Sequence, residues 1–397
     1  MVLHISFYYY CYYYIISFLS IRKKVERVFV MKFSCEKALL VSAISVAART
    51  VAQKSTIPCL EGILLRAGIG VQLTGFNLET GITVNVSANV SEAGLCVMPS
   101  RLFFDIIRKL PDEEVTVTVD EKLQVSIRGG ASSFKITAMD AEDYPDLPDV
   151  NSNRGIYMPQ SALREMIGGT IFSVSENQAR PIHTGCLIEV KDESITMVAV
   201  DNSRLARRTW HSSEPIGREL KFVVPATGLR EVEKILTDSD EEMRFTLGEK
   251  HILFEIGDAT LVCRILEGEF IDWRRVVPTE NGIILTARVS ELMNSIERVG
   301  LIISEKIKSP VRCVFGENVA DFRTVNTIGM AHDTCSVAGN GNELEIGFNC
   351  RYLLDALRAV PTEEVTLELK NGISPIVFTP VDDKKDFAYM VLPVRLR

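Results

Sequence analysis

Residues 98–119 read Met-Pro-Ser-Arg-Leu-Phe-Phe-Asp-Ile-Ile-Arg-Lys-Leu-Pro-Asp-Glu-Glu-Val-Thr-Val-Thr-Val. Phe103, Ile106, Ile107 and Leu110 follow the i, i+3, i+4, i+7 rhythm, which predicts a one-sided helix over Arg101–Leu110. Glu114-Val115-Thr116-Val117-Thr118-Val119 then alternates with a period of two, the pattern of a half-buried strand. The same plan returns near the end of the chain. Asn349 leads into Cys350–Val360 with Leu353, Leu354 and Leu357 as the stripe, followed by Glu364-Val365-Thr366-Leu367-Glu368-Leu369. Between them, Pro225-Ala226-Thr227 leads into Gly228–Leu236 with Leu229, Val232, Ile235 and Leu236, and the acidic run Asp238–Glu242 follows. The interval is about 127 residues.

A second helix recurs at the same interval. The apolar faces are Leu39, Leu40, Ala43, Ile44 and Ala47 in Cys35–Ala48; Leu163, Met166, Ile167 and Ile171 in Ser161–Phe172; and Val289, Leu292, Met293, Ile296 and Val299 in Val289–Gly300. A proline precedes a strand at Pro58, Pro181 and Pro310. Hairpin signals stand at Gly129-Gly130, Gly257-Asp258, Asn340-Gly341 and Asn371-Gly372. Three landmarks in phase predict three copies of one α+β domain, at 31–150, 154–280 and 281–397. The breaks fall at Pro145-Asp146-Leu147-Pro148 and Val277-Pro278-Thr279. Each copy is expected to set two helices on a multi-stranded antiparallel sheet.

Composition narrows the function. With 46% hydrophobic and 24% charged residues the chain is globular, and its net charge of −8 gives no global reason to coat nucleic acid. Positive charge gathered on one face stays open. Nine scattered cysteines without a C-x-x-C pair read as reduced intracellular thiols, and five histidines without metal-ligand spacing make a structural metal unexpected. There is no G-x-x-x-x-G-K-[ST] loop and no G-x-S-x-G elbow, and Gly68-x-Gly70 with Gly75 fails the dinucleotide fingerprint. The acidic runs follow helices at turns, so they read as solvated loops. A non-enzyme without a cofactor is therefore favoured over an enzyme whose site residues are dispersed on repeated domains. Residues 1–30 stand apart: Ile5–Ile21 is apolar and tyrosine-rich, with Arg22-Lys23-Lys24 after it, the reverse of a secretory signal. An over-extended start, a disordered tail and a membrane anchor are the readings, and Met31-Lys32-Phe33 is the natural beginning of the fold.

Several strings, in order across the repeats, resemble one family. They include Phe103-Phe104-Asp105-Ile106, Asp143-Tyr144-Pro145-Asp146-Leu147, Val200-Asp201-Asn202-Ser203-Arg204-Leu205-Ala206, Phe270-Ile271-Asp272-Trp273-Arg274-Arg275-Val276, Glu345-Ile346-Gly347-Phe348-Asn349 and Ala388–Leu396. From Met31 to Arg397 the chain resembles the beta subunit of bacterial DNA polymerase III, the sliding clamps. That resemblance implies a cytoplasmic, non-enzymatic head-to-tail homodimer, a ring with helices lining its hole. The ring would encircle double-stranded DNA without sequence preference and hold the DNA polymerase catalytic subunit and the clamp loader through short linear peptides. Basic residues on the repeated helices, Lys37, Arg49, Arg101, Arg108, Arg164, Arg230, Lys234, Arg351 and Arg358, are candidates to line the hole.

Carried over by position, the implied DNA contacts are Lys54, Arg101, Asn177 and Arg180, while Ala226-Thr227 stands where a basic pair is usual. The implied peptide pocket comprises His183, Val200, Ser203, Arg204, Leu205, Ile271, Arg275, Val276, Ile307, Asn349 and Tyr352. The tail Met390, Val391, Leu392, Pro393, Val394, Arg395 and Leu396 completes it. Ser203, Ile271 and Ile307 replace a usual histidine, proline and phenylalanine, which implies an altered peptide preference. Pro393 should stop the last strand and set Leu392 and Val394 beside Leu205. The implied dimer contact sets Phe134 and Ile136 on an edge strand against Leu301 and Ile302.

Overall fold

A computed structural model describes residues 30–111, 113–150, 154–278, 280–304, 309–382 and 386–396. The chain packs as two compact units, residues up to Pro148 with Gly257–Leu261, and Asp149–Ile256 with Val262 onward. In the first unit β1 (Met31–Glu36) runs directly into α1 (Lys37–Ala47). Then come β2 (Gly62–Ala67), β3 (Val71–Phe76), β4 (Thr80–Val86), β5 (Asn89–Glu92) and β6 (Gly94–Pro99), which runs into α2 (Ser100–Lys109). β7 (Glu114–Val119), β8 (Gln124–Gly129) and β9 (Ser132–Thr137) complete the unit. One sheet has the order β5-β1-β7-β8-β9 and another contains β4-β3-β2-β6. Phe33, Leu40, Ile44, Phe103 and Ile107 of the helix-facing layer are fully buried.

The second unit repeats the strand-to-helix plan twice. β10 (Ile156–Pro159) leads into α3 (Gln160–Gly168), followed by β11 (Gly185–Lys191), β12 (Ser194–Val200) and β13 (Arg204–His211). β14 (Leu220–Pro225) leads into α4 (Ala226–Ile235), then β15 (Glu242–Leu247), β16 (His251–Ile256), β17 (Ala259–Arg264), which enters this unit from Val262, and the single turn α5 (Trp273–Val276). β18 (Ile283–Arg288) leads into α6 (Val289–Gly300), and β19 (Val311–Val325) and β20 (Met330–Phe348) form one long hairpin. α7 (Cys350–Arg358), β21 (Glu364–Leu369), β22 (Ile376–Thr379) and β23 (Phe387–Val391) close the chain.

The three copies agree to the level of single hydrogen bonds. The first helix of each repeat lacks a side-chain cap. Its leading amide donates instead to a carbonyl of the acidic turn: Lys37 N to Glu113 O at 2.6 Å, Gln160 N to Glu241 O at 2.9 Å and Val289 N to Glu363 O at 2.9 Å. One of the four orphan amides is thus satisfied by tertiary contact. That accounts for a turn recurring at fixed phase, since the bond asks only for a backbone carbonyl there.

The structure corrects several expectations. Each of the first two repeats divides its strands between two sheets rather than one. Cys35 and Glu36 belong to β1, so the first helix begins at Lys37. α3 stops at Gly168, where two glycines in succession weaken the helix and the buried Thr170 hydroxyl donates back to Met166 O at 2.7 Å. Ile171 falls in a separate 3-10 turn. Pro58 and Pro181 open 3-10 turns that hand on to strands at Gly62 and Gly185. Asn340-Gly341 is not a hairpin turn but lies inside β20. A Cβ on Gly341 would stand 2.3 Å from Phe315 O, so the glycine permits close strand approach at an irregular point of the ladder. The true turn is at Asn326, whose Oδ1 accepts from Ile328 N at 2.8 Å. The apolar stretch 5–21 lies outside the described residues, among which no helix is long and apolar enough to cross a membrane.

Candidate partner-binding and DNA-facing sites

The second unit is sewn together by an antiparallel pairing of β13 with β23, Arg204 opposite Val391 and Leu205 opposite Met390. This continues one sheet from β14-β11-β12-β13 into β23-β22-β21-β18-β20-β19. At the Arg204 end of the seam Leu187, Val200, Leu205, Phe270, Trp273 and Met390 form an apolar cluster, with Ile182 and Val276 packed on it. Beyond Val391 the ladder stops but the tail stays attached. Leu392 N donates to Ser203 O at 2.8 Å and Val394 N donates to Gly347 O at 2.8 Å. A Cβ on Gly347 would meet Leu396 Cδ2 at 2.5 Å, so the glycine is what lets Leu396 lie flat on β20.

Arg204 holds the middle of this region. Its Nε donates to Asp201 at 3.0 Å and its Nη1 to Asp355 of α7 at 2.7 Å, with its side chain only 10% exposed. Its guanidinium lies over Tyr352 at 4.3 Å and Phe172 at 5.7 Å. Asn349 caps α7, its Oδ1 accepting from Arg351 N at 3.0 Å and Tyr352 N at 3.4 Å, which fixes Tyr352 under Arg204. Replacing Arg204 by alanine leaves Asp355 without this bond in a mostly buried site, and should cost about 2 kcal/mol. A thermal melt is expected to drop by roughly 5 °C. His183 stacks edge-on to Phe270 at 5.3 Å. Burial, reinforced by Arg180, lowers its pKa, so it stands neutral at pH 7.

Burial sorts the residues expected here. Val200, Leu205, Met390 and Val391 are core. Ser203, Tyr352, Val276, Pro393, Leu396 and His183 are half-buried, and Ile271, Arg275, Asn349, Leu392, Val394 and Arg395 are exposed. Met390, not Leu392 or Val394, lies opposite Leu205; Leu392 meets Ser203 instead. Arg275 pairs with Asp272 at 3.1 Å. Ile307 lies outside the described residues. Asp201 and Gly347 lie inside two of the strings that carry the resemblance but were not among the expected site residues, and Asp355 lies outside all of them.

The other expected residues are dispersed. Lys54 and Arg101 are exposed in the first unit. In the second, Asn177 and Arg180 form one exposed turn, Arg180 N donating to Asn177 O at 3.2 Å, directly before His183. Several helix cations are already engaged: Lys37 Nζ with Leu110 O at 2.6 Å, Lys234 with Glu231 at 2.7 Å, Arg358 with Glu297 at 2.8 Å. Phe134 is exposed on β9, at the end of its sheet, with Ile136 half-buried. Leu301 is 83% exposed after α6, and the Ile302 carbonyl accepts from Asn326 Nδ2 at 2.9 Å. Among the described residues no group of His, Cys, Asp and Glu is disposed to hold a metal ion.

Thrice-repeated α+β domains with an apolar cluster at an inter-repeat strand seam define a scaffold of the clamp class. Three models of the DNA polymerase III beta subunit match in order: its N-terminal domain at residues 31–148, its central domain at 157–272 and its C-terminal domain at 274–395. The chain is 28% identical to a Staphylococcus aureus beta sliding clamp over 378 residues, 92% of this chain and 99% of that one. The sliding clamp of Bacillus subtilis superposes with a TM-score of 0.89 at 27% identity, covering 93% and 100% of the two chains. A Pseudomonas aeruginosa clamp solved with griselimycin superposes at 0.86, with 29% identity over 92% and 100%. The chain belongs to the bacterial DNA polymerase III beta subunit family, the DNA sliding clamps.

Proposed function

We propose that two copies of this chain close head to tail into a cytoplasmic ring that encircles double-stranded DNA and performs no catalysis. The ring tethers the polymerase catalytic subunit, and takes up the clamp loader, through short peptides bound beside Arg204, Leu205 and the tail. The observation that carries this reading is the ordered match of all three family domains across residues 31–395. Encirclement needs no base contact, so exposed Lys54, Arg101, Asn177 and Arg180 suffice as weak phosphate contacts. The test is primer extension by the cognate polymerase on a singly primed circle. With loader and ATP present, the chain should turn short products into full-length ones, and unchanged product length would reject the proposal.

Closure requires a heterologous interface. Phe134 and Ile136 on the β9 edge against Leu301 and Ile302 give it an apolar centre, covering a sheet edge that would otherwise invite aggregation. Leu301→Ala with Ile302→Ala should give folded monomers in sedimentation velocity. A double variant that stays a tight dimer would show that the contact lies elsewhere.

A further inference from the structure

The single turn α5 carries Arg275 and Val276 and follows Ile271, so it forms one wall of the candidate peptide site. Four residues cannot sustain a helix unaided, because nucleation costs more than one turn of hydrogen bonds returns. Its backbone bonds are Arg275 N to Asp272 O and Val277 N to Trp273 O, both at 3.1 Å. The anchor comes from elsewhere. Glu189 on β11, its side chain 12% exposed, takes the Trp273 Nε1–H at 3.2 Å and the Arg274 guanidinium at 2.8 Å on one carboxylate oxygen. Lys221 approaches the other oxygen at 3.6 Å. Burial works against the charged carboxylate, but the bonds from Arg274 and Trp273 outweigh it and hold its pKa below the ordinary value. The indole is itself enclosed: Arg274 lies over it at 4.2 Å and Arg207, from β13, at 5.6 Å. Trp273 is thus latched to β11 through Glu189 and to β13 through Arg207.

We propose that Glu189 is a positioning residue for peptide capture: through Trp273 and Arg274 it holds α5 in register, and with it Ile271, Arg275 and Val276. This rests on the reading of this region as the peptide site. Glu189 touches no peptide. It acts by pre-organising a wall that the peptide would otherwise have to order on binding, at a cost in affinity.

The chain has two tryptophans, so a Trp210→Phe background makes Trp273 the sole emitter. In that background Glu189→Ala is expected to weaken binding of a fluorescein-labelled hexapeptide containing two leucines and one phenylalanine by roughly tenfold. Trp273 emission in the unliganded protein should move to longer wavelength, while sedimentation still reports the dimer. Glu189→Gln keeps an acceptor for both donors and should restore most of the affinity and the emission. A red-shifted emission with unchanged peptide affinity would overturn the inference, as would a glutamine variant as weak as the alanine one. If Glu189→Ala fails to fold, Trp273→Phe keeps the ring and loses the N–H; it should weaken the peptide by about threefold, and unchanged affinity would again overturn the inference. A parent protein that binds no hexapeptide would reject the pocket assignment itself.

Discussion

A chain ending at Val391 should fold and dimerise like the full protein, yet bind a fluorescein-labelled partner hexapeptide roughly a hundredfold more weakly, since a few apolar anchors carry most of such an affinity. Burial stops at Val391. Tyr389, Met390 and Val391 are fully buried, and the Tyr389 hydroxyl donates to Ala359 O at 2.9 Å, so everything up to Val391 seals the core. After it, Leu392 and Val394 are 38% and 43% exposed, apolar surface within reach of a partner. The tail is nonetheless held, by Leu392 to Ser203, by Val394 to Gly347 and by Leu396 lying on Gly347. An ordered, half-exposed apolar edge beside Arg204 and Tyr352 suits an extended peptide that adds main-chain bonds and sinks one or two large side chains. Fluorescence anisotropy decides the matter. Unchanged affinity would sink the pocket assignment, and an unfolded product would show that the tail is part of the core.

On nicked circular DNA the loaded protein should survive a high-salt wash, and it should vanish once the circle is cut. Ordinary electrostatic binding cannot behave so. A protein making six to ten phosphate contacts loses about 10³–10⁵ in affinity between 50 and 200 mM salt, whatever the topology of the DNA. A chain of net charge −8, with several helix cations already engaged in internal bonds, has little electrostatic grip to lose. Its retention must come from closure. Gel filtration of loaded circles against a linearised portion measures this, with the Leu301→Ala, Ile302→Ala variant as the ring expected not to close. Equal loss from circles and linear DNA would refute encirclement.

The repeat was legible because its signals are local. A helix face such as Phe103, Ile106 and Ile107, or a strand such as Val115, Val117 and Val119, is written in neighbouring residues, and all six side chains are buried as the spacing demands. The same short-range periods, recurring in phase, placed the six repeated helices to within a few residues. Tertiary structure alone decided how the strands are shared. Nothing in the alternation of β13 or β23 says that they pair with each other, because a strand edge offers the same donors and acceptors to any partner. That pairing settles which tail residues are core and which are surface, since it sets Met390 opposite Leu205. Arg204 and Asp355 stand 151 residues apart in sequence and Glu189 and Trp273 stand 84 apart, so each looks like an ordinary solvated charge or a core aromatic until the sheet brings it to its partner. Asn340-Gly341 shows the converse. Its dipeptide is a strong local turn signal, overruled because the long hairpin needs a glycine where the β20 backbone passes close to Phe315.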